Sequence, residues 1–180
     1  DNSAALDYAG TGTLTLNGGT IEDAATNDAS LLLATPGSSG SLGANKSITI
    51  DTTAPTVANV TATNPNGAYN AGQTILLQSG FSEPVNVTGT PKLALNTTPG
   101  DNATYASGTG TPTLTFDYTV QAGDNIATLD YTATNALTLH SGTITDPATN
   151  NATLTLASPG AAGSLSANKT ITLDTTAPPV

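Results

Sequence analysis

The chain has 180 residues, with 3 basic against 13 acidic side chains and a formal net charge of -10 at pH 7. That balance argues against a nucleic-acid partner, whose capture rests on cations that neutralise phosphates, and the absence of cysteine excludes a disulfide scaffold. With no Trp or Met, any core must be built from Leu, Ile, Val and a few Tyr, in a chain long enough for one ordinary domain and part of another.

An internal repeat sets the order of the elements. Residues 1–57 align without gaps on residues 124–180, and about two-thirds of the positions are identical. DNSAALDY returns as DNIATLDY, and GSLGANKSITIDTTAP as GSLSANKTITLDTTAP. Residues 1–51 therefore read as the C-terminal part of one unit, 52–57 as a linker, 58–174 as a complete unit and 175–180 as the start of the next linker. Each linker follows an alternating apolar run (Ile48, Ile50; Ile171, Leu173) and carries a proline, Pro55 or Pro178, that removes a backbone donor and favours extended chain.

Within 58–174 the apolar residues recur with period two, the mark of strands with one buried face. Val60, Ile75 and Leu77 begin the pattern, then Val85 and Val87, Leu93 and Leu95. Leu114, Phe116, Tyr118 and Val120 make one long face, followed by Leu129 and Tyr131, Leu137 and Leu139, Leu154 and Leu156, and Ile171 and Leu173. Turn residues separate them, as in Asn64-Pro65-Asn66-Gly67 and Ser141-Gly142, and no window has helical periodicity. The pattern predicts an all-β chain folded as an antiparallel sandwich. A β-helix would need a short repeat that the sequence lacks. No stretch approaches the length of a membrane span, and an export signal is expected outside these residues.

Catalytic constellations are thin. His140 is the only histidine and its counterpart is Asn17, Ser82 and Glu83 have no base beside them, and Asp117 and Asp130 read as strand carboxylates, so no enzyme is expected. Lys46, Lys92 and Lys169 are the only lysines that could form a cross-link, and Lys169, ahead of an alternating strand, reads instead as a solvated edge residue.

Three motifs recur in order: Phe81-Ser82-Glu83-Pro84-Val85, then Asp146-Pro147-Ala148-Thr149-Asn150, then Asp174-Thr175-Thr176-Ala177-Pro178. The last two return in the first copy as Asp23-Ala24-Ala25-Thr26-Asn27 and Asp51 to Pro55. Together they resemble the bacterial immunoglobulin-like repeats of large secreted and surface adhesins, with an F-S-E-P-V strand start, a D-A-A-G-N loop and a D-T-T-A-P linker. Thr26 and Thr149 stand where that family has glycine, and Pro147 where it has alanine.

The resemblance implies tandem Ig-like β-sandwiches at an extracellular bacterial surface. The expected function is a structural repeat of an adhesin, stalk or fibre, acting as spacer and interaction scaffold. It also implies a calcium site near the end of the sandwich, drawn from Asp23, Asn27 and Asp51 in the first copy and Glu83, Asp146, Asn150 and Asp174 in the second. Calcium takes six to eight oxygen ligands. The same residues serve equally well as caps of their own turns. Expected partners are neighbouring identical repeats or subunits, with a cell-surface glycan or another cell as the alternative. Residues 1–50, as half a sandwich, would be completed by preceding chain or by strand donation from another subunit.

Overall fold

A computed structural model of the chain describes residues 2–179. They divide into two units, 1–53 and 54–180, with the apolar core in the second.

In the second unit, β1 (Val57–Ala62) pairs antiparallel with one edge of the long β3 (Thr74–Thr88), and β6 (Thr111–Thr119) pairs with the other. From β6 the sheet continues through β5 (Asn102–Ser107) and β4 (Lys92–Ala94) to β8 (Leu137–Thr138). The register of β3 on β6 breaks between Gly80 and Val85, around Pro84, which has no N–H for a ladder. Beyond it the end of β3 pairs with β9 (Thr143–Thr145). Seven strands thus form one curled antiparallel sheet. A separate three-stranded sheet sets β10 (Ile171–Asp174) between β2 (Gly67–Tyr69) and β7 (Asn125–Ile126). The β10–β2 pair is parallel, unlike the all-antiparallel pairing the sequence suggested.

The period-two faces become the core. Ile75, Leu77 and Phe81 of β3 are buried with Leu114, Phe116 and Tyr118 of β6, and Leu93, Tyr131, Ile171 and Leu173 join them. Tyr105 packs edge-on against Phe116, with centroids 6.0 Å apart and planes at 72°. Each such side chain is worth about 1.5–3 kcal/mol of burial. Ser79 stands on the same inward face of β3, and its hydroxyl has no hydrogen-bond partner. Two expected strands, at residues 129–131 and 154–156, lie outside named strands, although Leu129, Tyr131 and Leu156 are buried. Isolated contacts hold them, such as the Leu95–Tyr131 bridge and the Leu156 N–H on the Thr134 carbonyl at 2.8 Å.

Two single-turn helices depart from the sequence expectation: α1 (Leu42–Asn45) and α2 (Leu165–Asn168). Ser41 and Ser164 cap them by accepting from the Ala44 and Ala167 N–H groups. One turn is too short for a periodic signal.

The first unit contains α1, the isolated bridges Ser3–Ile50 and Glu22–Asp28, and otherwise turns and irregular chain. Among its described residues only Ser41 is buried. No helix among the described residues is long and apolar enough to cross a membrane.

Candidate functional site

The Asp146 loop begins where β9 ends. Asp146 is buried, and its backbone exchanges hydrogen bonds around the loop with Asn150 and Thr149. Its Oδ1 accepts from the Asn150 N–H at 2.8 Å and its Oδ2 from the Asn150 side-chain amide at 2.7 Å. Asn150 therefore presents its NH₂ group, rather than its carbonyl, to the carboxylate. The loop is closed by its own side chains, as an Asx-type turn is.

The first copy builds the same loop. Asp23 Oδ1 accepts from Ala25 N–H at 2.8 Å and Asn27 N–H at 2.9 Å, and Oδ2 from the Asn27 amide at 2.9 Å. The Asn27 side chain foremost, then the Asn27 and Ala25 N–H groups, hold the Asp23 carboxyl below its usual value of 3.8. In both loops the threonine before the asparagine adopts a left-handed backbone, Thr26 at φ 63° and Thr149 at φ 72°.

Asp51 and Asp174 each cap the start of a linker, accepting from the N–H two residues on, Thr53 at 2.9 Å and Thr176 at 3.0 Å. Asn125 Oδ1 pins the second linker by accepting from Thr175 N–H and Thr176 Oγ1, both at 3.0 Å. Asn2 does the same for Thr52 in the first, at 2.8 and 2.9 Å. These two asparagines were not singled out from sequence. Their only signal was identical placement in both copies, some fifty residues before the linker.

Glu83, half-buried on β3, offers a carboxylate oxygen within 4.8 Å of one from Asp146. Asp174 lies in the other sheet, on β10, and Asp23 lies in the first unit. Among the described residues neither joins a group of three metal-ligating side chains within that span. Of the sequence candidates in the second unit, Glu83 and Asp146 are brought together, Asn150 caps Asp146, and Asp174 stands apart. As oxygen donors, Glu83 and Asp146 fit a hard divalent cation in kind, and they supply two of the several ligands calcium needs.

Two further polar centres involve residues that sequence reasoning left aside. Asp130, read as a strand carboxylate, is buried and accepts from Tyr131 N–H (2.9 Å), Gly160 N–H (3.0 Å) and Ser166 Oγ (2.5 Å). Burial first, then this carboxylate, push the Tyr131 phenol up to about 12, while its hydroxyl donates to the Ala157 carbonyl at 2.6 Å. In the first copy Asp7 repeats two of these contacts, with Tyr8 N–H at 2.9 Å and Gly37 N–H at 3.0 Å. The second centre is Tyr118, whose hydroxyl lies against the carboxylates of Asp124 and, at 3.1 Å, Asp101. Burial, then the Asp124 hydrogen bond, raise the pKa of this phenol. His140 sits exposed in a tight turn with Ser141, both at positive φ.

No protein-family model, curated protein or solved structure matches this chain.

Proposed function

We propose that the chain is a structural repeat of a long bacterial surface adhesin, stalk or extracellular fibre, built from Ig-like β-sandwich units and serving as spacer and interaction scaffold. What carries the reading is repetition of one local framework. Asp7 and Asp130, Asp23 and Asp146, Asp51 and Asp174, and Asn2 and Asn125 make the same local hydrogen bonds in both copies. Selection for length preserves such frameworks, because each copy must fold in the same way beside its neighbour. The ordered F-S-E-P-V, D-x-A-x-N and D-T-T-A-P motifs supply the family resemblance.

Calcium belongs to this proposal. Glu83 and Asp146 would hold it with backbone or water oxygens, and the ion would neutralise two carboxylates lying within 4.8 Å of each other. In that role Asp146 stays fixed by Asn150, and Glu83 ties β3 to the loop after β9.

The test is a series of chains carrying two, three and four copies of the repeating period, measured by small-angle X-ray scattering. A spacer gives a maximum dimension that grows in proportion to copy number, whereas growth with the cube root of mass would refute it. For the ion, calcium should raise the melting temperature of the parent chain and leave Glu83→Gln unmoved. An unchanged melting temperature on chelation removes calcium from the proposal.

A further inference from the structure

Equivalent apolar side chains are exposed in the first copy and covered in the second. Leu14, Ile21, Leu42 and Ile48 are 36–51% exposed, whereas Leu137, Ile144, Leu165 and Ile171, their counterparts, are at most 3% exposed. The cover in the second copy comes from one stretch of chain. Leu93 on β4 registers with Leu137, Val87 on β3 with Ile144, β1 packs on α2, and β2 runs alongside Ile171. All four strands precede Asp124, where the repeated sequence begins.

The first copy also holds the backbone arrangement that the covered copy has. Tyr8 donates to the Ala34 carbonyl and Tyr131 to Ala157, both at 2.6 Å. The turns close alike, Gly19 N–H on Leu16 and Gly142 N–H on Leu139, both at 2.8 Å. Ala29 N–H reaches Ile21 as Ala152 N–H reaches Ile144. One side chain differs in a telling way. Asn168 donates its amide to the Val60 carbonyl on β1 at 2.8 Å, whereas its counterpart Asn45 turns back to the Ser41 carbonyl of its own helical turn at 2.8 Å.

We propose that the face bearing Leu14, Ile21, Leu42 and Ile48 is a docking surface for a polypeptide segment with the strand sequence of residues 57–123. The segment is taken up in the register that those residues hold against 124–174. Recognition is strand addition plus burial: main-chain pairing at residues 14–15 and 20–22, parallel pairing at 48–50, and apolar side chains closing over the face. Asn45 then swings to a carbonyl of the segment, as Asn168 does to Val60, and Lys46 finds the equivalent of the Asn64 carbonyl that Lys169 holds at 2.9 Å. A second copy of the whole chain is a poorer occupant. Its residues 57–123 are already engaged by its own 124–174, so lending them uncovers as much as it covers.

The experiment places a copy of residues 58–123 directly ahead of Asp1, so that the new junction reproduces the native Gly123–Asp124 bond, and compares it with the 180-residue chain by hydrogen exchange. The expected result is slowing on the order of a hundredfold at amides within 6–50, with Leu14, Ile21 and Ile48 shielded together. A matched extension carrying Asp at the positions copied from Leu77 and Phe116 should abolish the protection. Unchanged exchange in the extended chain overturns the proposal. So does protection that survives the two Asp substitutions. Protection of the 180-residue chain that grows with its own concentration also overturns it, because the occupant is then a second copy.

Discussion

Replacing Thr149 with glycine should stabilise residues 54–180. Thr149 is exposed and holds φ 72°, a conformation in which the Cβ of an L-residue crowds the following carbonyl at a cost of about 1–2 kcal/mol. A β-branched residue stands at the high end of that range. Against this, glycine widens the unfolded ensemble and gives back roughly 0.5–1 kcal/mol. The hydrogen bonds that define the loop, Thr149 N–H to the Asp146 carbonyl at 3.1 Å and the two from Asn150 to the carboxylate, need no threonine side chain and survive the change. The net gain is about 1 kcal/mol, seen as a rise of about 3–5 °C in melting temperature for a unit of this size. Urea unfolding should show a higher midpoint with an unchanged slope. Thr149→Ala keeps a Cβ at positive φ and should gain less than glycine. A melting temperature that is unchanged or lower in Thr149→Gly would refute the strain, as would equal gains from alanine and glycine.

Ser79→Ala removes a buried hydroxyl without a partner and should add about 1 kcal/mol of stability, with a loss in urea titration counting against it. The His140–Ser141 turn has both central residues at positive φ and the Gly142 N–H on the Leu139 carbonyl at 2.8 Å. The equivalent first-copy turn uses Asn17–Gly18, the pair such turns favour. His140→Asn combined with Ser141→Gly should therefore stabilise by about 1 kcal/mol in a thermal melt. Asp23 titrates below 3.8 because the folded loop favours its charged form. Its contribution is therefore present above pH 3.8 and lost as pH falls through the lower folded value. Amide shifts of Ala25 and Asn27 followed by NMR should report that low midpoint, and a midpoint at or above 3.8 would contradict the loop geometry.

The inward faces were legible because they depend only on alternation. Leu114, Phe116, Tyr118 and Val120 were read as one buried row and all four are buried. Backbone pairing was less legible, since alternation says which way a side chain points and not whether a neighbouring strand lies alongside. Tyr131 shows the difference. It is buried as expected, but its segment is held by the Asp130 carboxylate and by the Asn96 side chain, whose Oδ1 accepts from the Asp130 N–H at 2.9 Å, rather than by a ladder. The candidate site divides in the same way. Asp146 and Asn150 lie four residues apart, and their loop could be read from local turn chemistry. The approach of Glu83 to Asp146 depends on β3 pairing with β9, whereas Tyr118 meets Asp124 across the single turn that follows β6.

The two copies act as an internal experiment on which contacts a local sequence can make alone. Where the same bonds form in both, as at Asp23 and Asp146 or at the serine caps of α1 and α2, the information lies within a few residues and needs no core. Where the copies differ, the difference follows residues 57–123. Leu42 is exposed and Leu165 fully buried, although both start the same capped turn, and the amide of Asn45 folds back where that of Asn168 reaches β1. Turns and caps are thus fixed locally and burial is supplied from elsewhere in the chain. The first copy accordingly keeps the turn and cap geometry of the second while Leu14, Ile21, Leu42 and Ile48 stay exposed.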